Sequence, residues 1–134
     1  MCATSSDIFS MTKNFTRQEF SCRCGCGYDH IDRRVVEIAQ TIRDFVGVPI
    51  RVNSGCRCEA HNLRVGGVKG SYHTKGLAAD LSCSRGAQVL YDTVRLLQRA
   101  GKLPDLSYCI LYQKRDFIHI DCGAKRSTMW EVRS

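Results

Sequence analysis

The chain has 134 residues, 43% of them hydrophobic and 25% charged, with a net charge of +7 and a pI near 9.1. That length suits one domain with one core, and no apolar run nears the ~20 residues that a membrane-spanning helix needs. The basic residues are spread along the chain, which reads as a solvated surface with an attraction to polyanions; charge does not choose among nucleic acid, anionic lipid and cell wall.

Residues 1–13 read as a disordered or extended tail and residues 14–134 as a single domain. Met1 to Ser10 lack the basic start and apolar middle of a secretory signal, so the expectation is synthesis in the cytoplasm and release by another factor. Thr16-Arg17-Gln18-Glu19 has the capping-box pattern, and a short helical turn there points Phe15 and Phe20 inward. Cys22 to Gly27 must be a loop. From Asp32 to Val46 the apolar positions Val35, Ile38, Ala39, Ile42 and Val46 recur at helical steps, with Asp32 as N-cap and Gly47 as stop. Val48 to Asn53 alternates and predicts a strand.

Ser54 to Thr74 shows little periodicity and carries Gly55, Gly66, Gly67 and Gly70; it reads as a long functional loop. No Gly-Lys-Ser/Thr end leads into a helix, so it is not a phosphate-binding loop. Leu77 to Cys83 predicts a strand carrying Asp80. Ser84 to Ala100 predicts a second amphipathic helix with Val89, Leu90, Thr93, Val94, Leu97 and Ala100 inward and Gly101 as stop. Ser107 to Tyr112 and Phe117 to Cys122 predict strands joined by a hairpin turn at residues 113–116. From Ala124 onward the chain reads as a polar, basic tail apart from Met129, Trp130 and Val132. The fold class is therefore α+β, with helices packed on one side of a small antiparallel sheet.

The nine cysteines are an odd number, so they cannot all pair within the chain, and without a secretory signal disulfides are not the default. Four thiolates drawn from Cys22, Cys24, Cys26, Cys56 and Cys58 would make a structural zinc site, although the spacing departs from the usual C-x2-C knuckle. The plainer reading is that most are small, reduced, half-buried side chains.

Of the four histidines, His30 and His61 read as ordinary surface or loop residues. His73 and His119 each lie near a carboxylate in a strand-and-loop setting. Two imidazoles and Asp80 would leave one position of a tetrahedral zinc ion open, as in a catalytic site. Hydrolysis also needs a base. Asp116 stands three residues before His119, which in a regular strand puts it on the opposite face, so only the turn could redirect it toward the metal. Asp121 shares the face of His119 and is its rival. His119-Ile120-Asp121 also contains the H-x-D of a non-haem iron triad, but no histidine follows to complete it.

Taken together, Val52-Asn53-Ser54-Gly55-Cys56-Arg57, His61-Asn62, Val65-Gly66-Gly67, Ser71-x-His73-x-x-Gly76-x-Ala78-x-Asp80 and Asp116-x-x-His119 resemble the zinc D-Ala-D-Ala carboxypeptidase family, peptidase M15, in its short phage and bacterial members. The resemblance covers about residues 14–123. It implies the fold shared with the hedgehog signalling domain, and zinc held by His73, Asp80 and His119. It implies Asp116 as acid/base, where many members have Glu, and Arg57 as the group that steadies the substrate and the developing oxyanion. Ser71 matches a residue near the substrate. Where several members carry a second His two places after the last ligand, this chain has Asp121. The implied substrate is a peptidoglycan stem peptide, cut at the cell wall by a monomer acting as carboxypeptidase or endopeptidase, as in a phage lysis enzyme. A non-catalytic, zinc-containing wall-binding module of the same fold is the alternative. A Cys-rich nucleic-acid binder ranks last, because it leaves His73, Asp80 and His119 unexplained.

Overall fold

Five strands, β1 (Ile50–Ser54), β2 (Ala78–Cys83), β3 (Tyr108–Tyr112), β4 (Phe117–Asp121) and β5 (Trp130–Arg133), form a sheet in the order β1-β2-β4-β3-β5 in the computed structural model, which describes residues 10–134. Successive strand side chains alternate between faces. One face carries Ala79, Leu81, Cys109, Leu111, Ile118 and Ile120, all of them buried in the hydrophobic core. Against it pack α1 (Arg33–Val46) and α3 (Ala87–Arg99). The other face carries Asp80, His119 and Asp121, and there the candidate site lies.

The long helices follow the sequence pattern closely. In α1, Val35, Val36, Ile38, Ala39, Ile42 and Val46 are buried. The Asp32 side chain accepts from the Arg34 N–H at 2.9 Å, satisfying a first-turn amide. Gly47 ends the helix with φ 73°, a conformation that a residue without Cβ adopts without strain. Thr16 and Glu19 form the expected capping box on a 3-10 turn over Arg17–Phe20, and Phe15 and Phe20 are buried, with ring centroids 5.8 Å apart.

Three expectations need correction. The sheet is mixed rather than antiparallel, because β5 runs parallel to β3, pairing Cys109 with Trp130 and Leu111 with Val132. The expected polar tail therefore holds a strand: Trp130 packs edge-on against Tyr91 of α3 at 5.9 Å. The supposed unstructured loop from Ser54 to Thr74 contains a short helix, α2 (Glu59–Arg64), and a 3-10 turn (Tyr72–Lys75). The pattern hid α2 because Asn62 is its buried residue and Leu63 is exposed, so it has no apolar stripe. Most of the expected N-terminal tail lies outside the described residues. Of its end, Ser10 bridges to Thr16, Met11 packs against the core, and the Thr12 hydroxyl bonds Gln40 at 2.8 Å.

Candidate metal centre

Strand register builds the centre. Asp80 of β2 lies directly opposite His119 of β4. The two meet with Asp80 Oδ1 3.0 Å from His119 Nδ1. The 3-10 turn after α2 brings in His73, whose Nε2 lies 3.3 Å from the same carboxylate oxygen. The three ligand-type atoms all fall within 4.8 Å of one another. A zinc ion with bonds of about 2.0–2.1 Å has tetrahedral edges of about 3.3 Å. The carboxylate-to-imidazole separations of 3.0 and 3.3 Å fit that size.

Both imidazoles are also fixed from behind. His73 Nδ1–H donates to the Gly55 carbonyl at 2.7 Å, which leaves Nε2 on the site side. His119 Nε2–H donates to Asp121 Oδ2 at 2.8 Å, which leaves Nδ1 there. A carbonyl or carboxylate behind each ring sets its tautomer and makes it a better ligand, as metal-binding histidines require. Burial pushes the Asp80 carboxyl up, but hydrogen bonds from His119 and His73 outweigh that and hold it well below the usual carboxylate range. Burial pushes His119 down, but Asp121 and Asp80 outweigh it and raise its pKa to about 9. The two carboxylates thus favour the protonated form of His119 in the metal-free chain, and Nδ1 would have to release a proton to bind a metal.

Local sequence explains the tight fit. Ser71 Oγ accepts from the His73 N–H at 3.2 Å and starts the 3-10 turn; Gly76 ends it with φ 70°. A Cβ on Gly76 would lie 2.1 Å from the His30 carbonyl oxygen, so the residue must be glycine for the turn to sit against the start of α1. Ala78 and Ala79 are fully buried.

Arg57 stands beside the cluster. Its guanidinium donates to Ser54 Oγ at 3.2 Å, Asn62 Oδ1 at 3.1 Å and, at 3.5 Å, Asp80 Oδ2. Asn62, buried, donates in turn to the Val68 carbonyl at 2.9 Å. Gly67 lets this happen, since a Cβ there would lie 2.0 Å from Asn62 Oδ1. Asn62 thus holds the Arg57 guanidinium in place, a contact that the sequence marked only as part of a motif.

The cluster opens onto a cavity of ≈ 440 Å³ whose wall includes Arg57, Ser71, Tyr72, Arg115, Arg126 and Arg133. Arg126 lies over the Tyr108 ring at 4.0 Å, and Arg133 donates to Tyr112 Oη at 3.1 Å. Among the described residues, Asp80 and Asp121 are the carboxylates on that wall.

Asp116, expected at the metal, is not there. It occupies the β3–β4 hairpin at φ 57°, and its carboxylate accepts from the Ala87 N–H at 2.8 Å, capping α3 on the far side of the sheet. Strand alternation wins: Asp116 follows the face of Ile118 and Ile120, and the turn does not reverse it. Asp121 is instead in contact with the cluster and 1% exposed. His30 stacks on Tyr28, and His61 lines a neighbouring cavity shared with Arg57; neither joins the metal cluster. Cys22, Cys24, Cys26 and Cys58 gather in a second group. Cys56, the fifth candidate thiol, does not; it is buried in the hydrophobic core.

The family model described as Peptidase M15 matches residues 13–121. No curated protein matches the chain.

Proposed function

Because the chain belongs to the peptidase M15 family, a family of zinc peptidases, we propose that it hydrolyses peptide bonds in peptidoglycan stem peptides, as a carboxypeptidase or an endopeptidase. The observation that carries this reading is the His73–Asp80–His119 cluster, pre-oriented from behind and open to a cavity rimmed by arginines. Stem peptides carry free carboxylates, which such a rim attracts.

In this reading His73 Nε2, Asp80 Oδ1 and His119 Nδ1 would hold the zinc ion. When bound, zinc polarises the scissile carbonyl and makes water a nucleophile at neutral pH. Arg57, held by Ser54 and Asn62, places positive charge where the carbonyl oxygen becomes negative. Asp121 keeps the His119 Nε2 proton on the side away from the ligand atom. Ser71, which holds the turn bearing His73, is also on the cavity wall, where it would meet the substrate. Asp116, expected as the acid/base, caps α3 and does not line the cavity.

The test is solubilisation of purified cell wall by the zinc-loaded chain, with muropeptides read by mass spectrometry to identify the bond cut. His73→Ala should abolish product release. A chain that releases no muropeptide from any wall type would overturn the reading. The position of Asp116 favours a second reading, a zinc-containing wall-binding module without catalysis, because the expected acid/base carboxylate is absent from the cavity wall. Retention on wall without product is the outcome that selects it.

A further inference from the structure

We infer that Cys22, Cys24, Cys26 and Cys58 hold a second zinc ion whose role is purely structural, fastening the 22–27 loop to the segment that carries Arg57. The four sulfurs lie within 4.8 Å of one another, although they come from two segments more than thirty residues apart in sequence. Cys22 Sγ is 3.4 Å from Cys24 Sγ, and Cys24 Sγ is 3.6 Å from Cys58 Sγ. A disulfide needs about 2.05 Å. The edges of a zinc tetrathiolate with bonds of about 2.3 Å are about 3.8 Å, close to what is seen.

The surroundings suit thiolates. The Cys58 N–H donates to Cys22 Sγ, and the His61 N–H donates to Cys58 Sγ, each at 3.4 Å. Backbone donors aimed at sulfur stabilise a charged ligand. The loop is shaped for the purpose by Gly25 and Gly27, at φ 82° and 90°. Arg23 straps it down, donating to the carbonyls of Glu19 at 2.6 Å, Ser21 at 3.0 Å and Val52 at 2.6 Å. Without an ion, two exposed thiols, Cys24 and Cys26, gather beside two shielded ones to no packing advantage, since exposed sulfur buries little surface.

The placement gives the ion its role. Arg57 immediately precedes Cys58, and the Arg57 N–H donates to the His73 carbonyl at 3.0 Å. Just upstream, the Gly55 carbonyl orients His73. The segment from Gly55 to Cys58 is thus bound to the His73–Asp80–His119 cluster at one end and to the thiol cluster at the other. The thiol site is independent of which bond, if any, the chain cuts.

The experiment uses the full chain, reduced and stripped of metal, then titrated with cobalt(II) alone. Wild type should take up two metal ions per chain and develop the intense near-ultraviolet absorption of cobalt bound by thiolates. His73→Ala should lose one ion and keep that absorption. Cys24→Ser and Cys26→Ser, both at exposed positions, should weaken it while keeping the ion at His73. Zinc added to His73→Ala should slow amide exchange across residues 21–27 and 55–61. One ion per wild-type chain with no thiolate absorption under full reduction would overturn the inference. That wild-type result does not depend on any variant folding, and it is separate from whether wall is cut.

Discussion

At the scale of the residue, the two aspartates flanking His119 have exchanged the importance their spacing suggests. Asp116→Ala removes the carboxylate that accepts from the Ala87 N–H, so it should cost about 1 kcal/mol in urea unfolding. It should leave zinc affinity unchanged. Asp121→Ala removes the acceptor behind His119 and should weaken zinc binding by about 10- to 100-fold, read by competition with a chromophoric chelator. The reverse pattern would restore Asp116 to the centre. Protonation supplies a second prediction, for the metal-free chain. His119 rises from an unfolded value of about 6.5 to about 9, so its contribution is complete below about 6.5 and is lost as pH climbs through about 9. Asp80 is depressed, so its contribution is complete above about 3.9 and is lost as pH falls through its lowered native value. In chelator the urea midpoint should therefore fall between about pH 6.5 and about pH 9.5. A midpoint that rises across that interval would contradict the charged His119 arrangement. His73, Asp80 and His119 were legible in the sequence, because a histidine and an aspartate near each other in strand-and-loop settings are informative residue types. Asn62 and the Gly55 carbonyl were not. A backbone oxygen leaves no mark on composition, and a buried Asn in a six-residue helix looks like any surface polar residue.

At the scale of the element, the positions of the ligands are set by short pieces rather than long ones. Both long helices could be read from apolar periodicity and their ends from Asp32, Gly47 and Gly101, because each buries a wide stripe. The 3-10 turn of His73 has no stripe; a serine cap and a glycine stop hold it. Gly76→Ala is the sharpest test of that turn. It forces a side chain into a left-handed conformation and against the backbone of His30. We expect a loss of more than about 2 kcal/mol in unfolding free energy, larger than for an ordinary helix-stop glycine, because backbone cannot yield as a side chain can. A loss below about 0.5 kcal/mol would show that the turn moves freely. Strand β5 escaped the sequence reading for a related reason. Trp130 and Val132 alternate with Glu131 and Arg133, but four residues after a basic stretch give too short a period to recognise.

At the scale of the whole molecule, the sheet separates two jobs. One face is dry, apolar and covered by α1 and α3; the other carries the cavity. The arginine rim was not legible, since Arg115, Arg126 and Arg133 come from a hairpin, an irregular segment and an unforeseen strand. Their gathering is a property of topology alone. The net charge of +7 was legible but could not say where the charge would collect. In the proposed reading, zinc would bind the native arrangement of His73, Asp80 and His119, which the unfolded chain lacks. At a free concentration about one hundred times the dissociation constant this site alone should add about 2.7 kcal/mol to stability, and His73→Ala should lose that increment while keeping whatever the thiol site contributes. A thermal midpoint that does not respond to zinc in wild type would contradict a preformed centre.

The pairing of Asp80 with His119 across β2 and β4 has one more consequence, for folding. Side chains alternate strictly along a strand, so a slip of one residue places Ala79 or Leu81 opposite His119 and turns the carboxylate away. A chain mispaired in this way keeps most of its hydrogen-bonded ladder yet has no complete ligand set. Zinc held by these ligands during refolding would therefore act as a proofreader of strand alignment, drawing the population toward the one register in which the carboxylate and the imidazole meet.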